Sequence, residues 1–162
     1  MTTIPQTLKT ERLILELLKR SDAVDIHTNI DENIVKNIGG GAPWPYTKHD
    51  ADNFIKICQD NLKNNLCYDY VIRNYKTVFI GIISFYTNGM LGYWIAGKHQ
   101  RNGFAFEALI SIENVAKRLE FKELWATVKP NNTPSINLLK KFGMIMTNEV
   151  SEDNEIILRK IL

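Results

Sequence analysis

The chain predicts a single mixed α+β domain over residues 8–160, with a central, mostly antiparallel, twisted sheet flanked by about four helices. Three observations carry this. Strand-like segments in a meander precede a strand–helix–strand–helix–strand order, which is how helices come to pack on one sheet. The segment from Gly103 to about Glu120 repeats apolar residues (Ala105, Ala108, Leu109, Ile112, Val115, Ala116, Leu119) at steps of three and four, the period of a helix with one buried face. Asn88-Gly89 between two apolar runs is a tight-hairpin signal, so the strands beside it are antiparallel. The 162 residues suit one domain and can bury a sizeable core without disulfides or metals.

The elements follow in order. Leu8 to Leu17, containing Arg12-Leu13-Ile14-Leu15-Glu16-Leu17, reads as the first strand. Ser21 and Asp22 can cap a helix to about Ile30. Ile38 to Tyr46 reads as a loop, made flexible by Gly39-Gly40-Gly41 and stiffened after them by Pro43 and Pro45. Thr47 or Asp50 opens a second helix to about Asn64. Tyr68–Arg73 and Val78–Tyr86 are strands joined by a turn at Asn74-Tyr75-Lys76, and Met90–Ala96 completes the meander. After the Gly103 helix, Leu124–Val128 is a short buried strand. Thr133 caps the last helix with Pro134 in its first turn, and Gly143 ends it. Ile145–Val150 and Glu155–Lys160 form a closing hairpin. There is no repeat, linker or low-complexity stretch.

Composition narrows the function classes. Apolar residues make up 44% and charged residues 23% of the chain, ordinary values for a globular protein. The net charge of +2 favours no partner, and the twenty basic residues form no dense run, so nucleic acid is not an expected partner. No apolar run approaches the roughly 20 residues of a membrane span. The start, Met1 to Gln6, is polar and lacks a signal-peptide core, so a cytoplasmic location is expected. Cys58 and Cys67 have no companion ligands for zinc and read as buried thiols; His27, His49 and His99 are scattered, and no metal is expected.

Gln100-Arg101-Asn102-Gly103-Phe104-Ala105 puts small residues where a helix begins. Helix N-termini offer unpaired N–H groups and partial positive charge, so a phosphate can approach the backbone there. The same pattern serves ordinary helix starts, and other motifs must decide between the two. Four others occur in order: Thr10-Glu11-Arg12-Leu13-Ile14-Leu15; Pro45-Tyr46-Thr47 before Asp50-Ala51; Gly92-Tyr93-Trp94-Ile95; and Val128-x-Pro130-x-Asn132-x-x-Ser135 followed by Leu138-Leu139-Lys140-Lys141-Phe142-Gly143-Met144. Together with Gln100-x-x-Gly103-x-Ala105 and Glu107-Ala108, they resemble the GNAT N-acetyltransferase superfamily, and most of all its RimJ/RimL-like branch, from about Leu8 to Leu158.

The resemblance implies an acetyl-CoA-dependent N-acetyltransferase acting on a primary amine, either a protein N-terminus or a small molecule, by direct attack in a ternary complex. A non-catalytic acyl-CoA-binding module is the alternative. The pyrophosphate of coenzyme A is expected on the N–H groups of Gln100, Arg101, Asn102, Gly103, Phe104 and Ala105, with Lys98 and Arg101 adding charge. The pantetheine arm is expected along Tyr93, Trp94 and Ile95, where the sheet splays open, and at Asn132. Ser135, next to Asn132, is the candidate to protonate the departing thiolate; Trp44 and Tyr46 are candidate walls of the acceptor pocket. Many relatives carry a tyrosine as general acid seven residues after the Asn, where this chain has Leu139. A glutamate often precedes the Gly-Tyr of the central strand, where this chain has Met90 and Leu91. Glu107 reads as a helix-dipole partner, leaving Asp69, His99, Tyr93 or a water chain as base. The resemblance also allows a homodimer.

Overall fold

In the computed structural model, which describes residues 3–162, eight strands and five α-helices form two sheets with helices on both faces. Met1 and Thr2, part of the polar start, lie outside the described residues. The strands are β1 (Thr7–Lys9), β2 (Leu13–Leu17), β3 (Cys67–Asn74), β4 (Phe79–Tyr86), β5 (Leu91–Ile95), β6 (Glu123–Val128), β7 (Ile145–Val150) and β8 (Ile156–Ile161). The helices are α1 (Ala23–Asn29), α2 (Glu32–Asn37), α3 (Lys48–Lys63), α4 (Phe104–Arg118) and α5 (Thr133–Lys141). Two local readings differ from the sequence expectation. The first strand is a hairpin, β1 and β2 pairing antiparallel around a turn at Thr10–Arg12, because Thr10 and Arg12 are drawn aside to Glu107 on α4. A fifth helix, α2, precedes the glycine loop; it is six residues long, too short to show a period, and is announced only by the Asp31 carboxylate that caps Ile34 N–H at 2.8 Å.

The five-stranded sheet has the order β1-β2-β3-β4-β5, all antiparallel, and the three-stranded sheet the order β6-β8-β7. The two touch at one parallel bridge, Met90 to Trp125, and part beyond it. The Asn88-Gly89 turn makes that junction: the Trp125 N–H donates to Gly89 O at 3.0 Å and the indole N–H to Asn88 O at 3.1 Å. Gly89 has φ of +87°, and a Cβ there would lie 2.7 Å from Glu123 O, so no other residue fits this apex. A V-shaped cleft therefore opens between β5 and β6.

Period-two alternation along the strands feeds two cores. Leu13, Leu15, Ile72 and Ile83 pack on Leu109, Ile112 and Val115 of α4 and Leu139 of α5. On the other face Val71 and Ile82 pack on Ala23 and Ile26 of α1 and on Ala51, Ile55 and Cys58 of α3. Each of the Leu, Ile and Val side chains among these, fully buried, contributes about 1.5–3 kcal/mol. Thr47 is the cap of α3, in a reciprocal box with Asp50. Both cysteines are buried and free. Among the described residues no helix is long and apolar enough to cross a membrane, and no cluster of His, Cys, Asp and Glu is arranged to hold a metal ion.

Candidate active site

The cleft holds two cavities, of about 640 Å³ and about 550 Å³. They share Asn37, Ile38, Tyr93, Trp94, Asn132 and Ser135 as walls, so they form one groove with a narrow middle. That middle is a hydrogen bond across the V: Tyr93 Oη on β5 and Ser135 Oγ on α5 lie 2.8 Å apart. Burial pushes the Tyr93 phenol up to about 12, with the Ser135 contact pulling the other way, so it stays protonated at neutral pH and can donate.

The smaller cavity is walled by Tyr93, Trp94 and Ile95 of β5, by Gln100, Arg101, Gly103, Phe104 and Ala105, and by Asn132 and Ser135. Arg101 and Gly103 both adopt positive φ, 61° and 78°. Left-handed residues in such a turn aim successive N–H groups toward one point, a seat for an anion, and the first-turn N–H groups of α4 extend it. A side chain on Gly103 would also crowd the Arg12 guanidinium, whose Nη2 lies 3.4 Å from the position of a Cβ. Gln100 anchors the loop to the strand, its amide donating to Ile95 O at 2.9 Å. Asn102 lines neither cavity; its side chain donates to His99 O and Gln100 O and so shapes the turn from behind. Lys98 is exposed and also stands outside both cavities.

An ion pair between Arg12 and Glu107, the latter legible in the sequence only as a helix-dipole partner, holds this loop. Arg12 Nε donates to Glu107 Oε2 at 2.7 Å, Arg12 Nη1 to Asn102 O at 2.8 Å, and the guanidinium lies 4.6 Å from the centre of the Phe104 ring. Glu107 also accepts from Thr10 Oγ1 at 2.5 Å and from the Arg12 N–H at 2.8 Å. Burial alone would raise the Glu107 carboxyl, but these hydrogen bonds and the Arg12 charge outweigh it and hold the group below the ordinary glutamate value. Glu107 is thus a fully engaged brace rather than a free base. His99 lines the same cavity, and its Nε2 is buried without a partner among the described residues. Burial, with Lys98 nearby, lowers its pKa against a hydrogen bond to the Phe79 backbone, so the ring is neutral and its Nε2 is left as an acceptor. The signal for His99 was its place just before Gln100, which spacing alone did not separate from a chance histidine.

The larger cavity lies under the glycine loop. Gly39, Gly40, Gly41, Pro43 and Tyr46 line it, with Ser84, Gly92, Leu139 and the carboxylates Asp50, Asp153 and Glu155. Among the described residues, no Lys, Arg or His is in its walls. Tyr46 is brought into the site, its phenol pushed up to about 12 by burial and the charge of Asp50, whereas Trp44 is 47% exposed and lines neither cavity. At α5 the cap is Asn132, not Thr133: Asn132 Oδ1 accepts the Ser135 N–H at 3.4 Å, because a cap satisfies the N–H three residues on and Thr133 is already inside the helix. Leu139 is fully buried on the floor of the larger cavity and offers no proton there.

The acetyltransferase (GNAT) domain family matches residues 12–145. An uncharacterized N-acetyltransferase of Bacillus subtilis (strain 168), YnaD, is 30% identical in an alignment 146 residues long that covers 85% of this chain and 81% of that protein. The structure of the microcin C7 self-immunity acetyltransferase MccE, in complex with acetyl-CoA and AMP, superposes with a TM-score of 0.83 at 18% identity over 99% of both chains. The ribosomal-protein-S5-alanine acetyltransferase of Vibrio fischeri gives a TM-score of 0.76 at 19% identity over 96% of both chains.

Proposed function

This chain belongs to the acetyltransferase (GNAT) domain family, and from that premise we propose that it transfers an acetyl group from acetyl-CoA to a primary amine, the two substrates meeting in one ternary complex. The observation that carries the reading is the Tyr93–Ser135 hydrogen bond at the waist of the groove, with an anion seat on one side and a cavity walled by carboxylates on the other. The complex of MccE with acetyl-CoA and the name of YnaD as an N-acetyltransferase support the choice of donor and acceptor. The fold shared with a ribosomal-protein acetyltransferase agrees with the RimJ/RimL-like branch.

The residues then divide the work. The N–H groups of the Arg101–Ala105 turn hold the pyrophosphate. The free edge of β5 at Tyr93–Ile95 pairs with the pantetheine arm, and one of its N–H groups near Ile95 stabilises the developing oxyanion. Acetyl-CoA supplies the acetyl group as a thioester. Ser135 gives the departing sulfur its proton and regains one from Tyr93, so a tyrosine acts from the strand wall where Leu139 has vacated the helix wall. Tyr46 and the glycine loop shape the acceptor side, and Asp50, Asp153 and Glu155 match the positive charge that amines carry at neutral pH. Both substrates held in one groove supply much of the rate.

Titration calorimetry with acetyl-CoA, followed by thiol release against a panel of N-terminal peptides, polyamines and other small amines, tests the reading. Binding and turnover with one amine class are expected. No binding at millimolar acetyl-CoA overturns it, and binding with no turnover across the panel leaves a non-catalytic acyl-CoA module.

A further inference from the structure

We propose that Ser84 and Asp69 form the proton path for the acceptor amine, with Ser84 as the catalytic hydroxyl and Asp69 as the positioning carboxylate behind it. The inference rests on the transferase reading above. It starts from a row of three residues in register: Asp69 on β3 pairs with Ser84 on β4, and Ser84 pairs with Gly92 on β5. Partnered residues on neighbouring strands share a face, so Ser84 stands between a carboxylate and a missing side chain. A Cβ added to Gly92 would meet nothing nearer than Ser84 Cβ at 3.9 Å, which leaves the space above Ser84 open. Ser84 and Gly92 both line the larger cavity. The row ends at Gly92, next to Tyr93 on the strand assigned to the thioester, and Ser84 faces the cavity on the acceptor side of that strand.

Asp69 is only 6% exposed, and Ser84 Oγ donates a hydrogen bond to its Oδ1. The titratable groups that face it are Cys67 on its own strand, Cys58 from α3 and Tyr86 from β4. Burial first, with the Asp69 charge adding to it, pushes both thiols up, and burial together with Cys67 and Asp69 does the same to the Tyr86 phenol. All three stay protonated at neutral pH, and none brings a positive charge. A carboxylate buried without a cation is costly unless hydrogen bonds satisfy it; the Cys58 and Cys67 thiols and the Ser84 hydroxyl do so here, and of these three the hydroxyl lines the cavity. An acid–hydroxyl pair in that position is built to accept a proton.

The step balances as follows. The amine arrives protonated and first loses its ammonium proton through Ser84 Oγ and Asp69 to solvent; the free nitrogen then bonds to the acetyl carbon and the carbon–sulfur bond breaks. The nitrogen's proton goes to Ser84 Oγ while the Ser84 hydroxyl proton goes to Asp69, leaving a neutral amide and a neutral carboxyl group. The sulfur takes its proton from Ser135, which Tyr93 replenishes. Asp69 then releases its proton to solvent, and Tyr93 regains one.

The test compares wild type, Asp69→Asn, Ser84→Ala and Ser84→Thr with the best amine of the panel, measuring kcat from about pH 6 to about pH 9.5 and the acetyl-CoA Kd by calorimetry. Asp69→Asn and Ser84→Ala should each lower kcat about 100-fold at neutral pH, the range of a lost proton acceptor. Their rates should climb toward wild type as rising pH deprotonates the amine unaided. The acetyl-CoA Kd should hold within about twofold, and Ser84→Thr should recover most of the rate, since it restores the hydroxyl. Should Asp69→Asn fail to fold, Ser84→Ala and its threonine rescue decide alone. A pH profile parallel to wild type in both variants, or a loss confined to acetyl-CoA affinity, overturns the path and leaves a structural hydrogen bond. An active wild type with indifferent variants overturns the path alone. A wild type that binds acetyl-CoA and turns over no amine overturns the transferase reading and the path with it.

Discussion

The two halves of the groove are built by different means. The smaller cavity is backbone: a strand edge, a turn with two positive-φ residues and the first turn of α4, braced from outside by Arg12 and Glu107. Among the described residues, Arg101 and His99 stand in its walls and no carboxylate does. The larger cavity is loop and side chain: three glycines, Tyr46, Ser84 and three carboxylates, with no basic wall among the described residues. One fold thus offers an anion seat and a cation seat about a common waist. On the proposed function the backbone half holds the coenzyme A end and the side-chain half is left to select the acceptor.

The sharpest break of that contrast is Gly103→Glu. A non-glycine residue at φ of 78° is strained, and its carboxylate would project beside the anion seat. Like charges set against each other cost several kcal/mol, so acetyl-CoA affinity should fall about 100-fold or more by calorimetry. Normal affinity in this variant would mean that the pyrophosphate sits elsewhere and that the two halves have been assigned the wrong ligands.

The waist is tested next. Tyr93→Phe and Ser135→Ala should each lower kcat by about 10- to 100-fold with the acetyl-CoA Kd unchanged, and the double variant should be no worse than the poorer single one, because one hydrogen bond joins them. Additive losses would make the two hydroxyls independent.

The brace gives a smaller, pH-dependent effect. The folded-state pKa of Glu107 is lowered, so its contribution is fully present above the ordinary value of 4.5 and is lost as pH falls through the lowered one. The thermal midpoint of wild type should drop on acidification through that window, and Glu107→Gln should be less stable at neutral pH but flatter below pH 4.5. At neutral pH, Glu107→Gln should also weaken acetyl-CoA about threefold, since it frees the loop without removing any phosphate donor. A pH response identical to wild type would show that another carboxylate holds the loop.

The same division explains what the sequence made legible. Helix α4 and its apolar face, the meander and the Asn88-Gly89 apex follow from local period and turn chemistry, which are properties of neighbours in the chain. The Gln100–Ala105 turn was readable for the same reason. The Arg12–Glu107 brace spans 95 residues, so no local pattern announces it, and the stretch from Leu8 to Leu17 reads locally as one strand although it folds as the β1–β2 hairpin beside that brace. The Tyr93–Ser135 contact spans 42 residues and joins two motifs that were each visible but whose meeting was not. Trp44 and Tyr46 sit two apart in one loop, yet one is at the surface and the other in the groove, because a loop has no period to say which side faces in.

The mildest test asks whether the acidic walls select charge or merely tolerate it. The Asp50 carboxyl is lowered by its hydrogen bonds from Thr47, so it is ionised throughout the neutral range. Glu155 is the half-buried carboxylate of the remaining two, so its removal should register more than that of exposed Asp153. If the walls select charge, Glu155→Gln should raise KM for a diamine about threefold relative to a monoamine of the same length, the scale of one partly exposed ion pair. Raising the salt concentration should erode the same preference, since the Debye length falls to about 8 Å at physiological ionic strength. The acetyl-CoA Kd of Glu155→Gln should match wild type, because the residue lines only the larger cavity. An unchanged ratio of the two KM values would reduce the acidic wall to a solvated rim, and shape at Tyr46 and the glycine loop would be left to choose the amine.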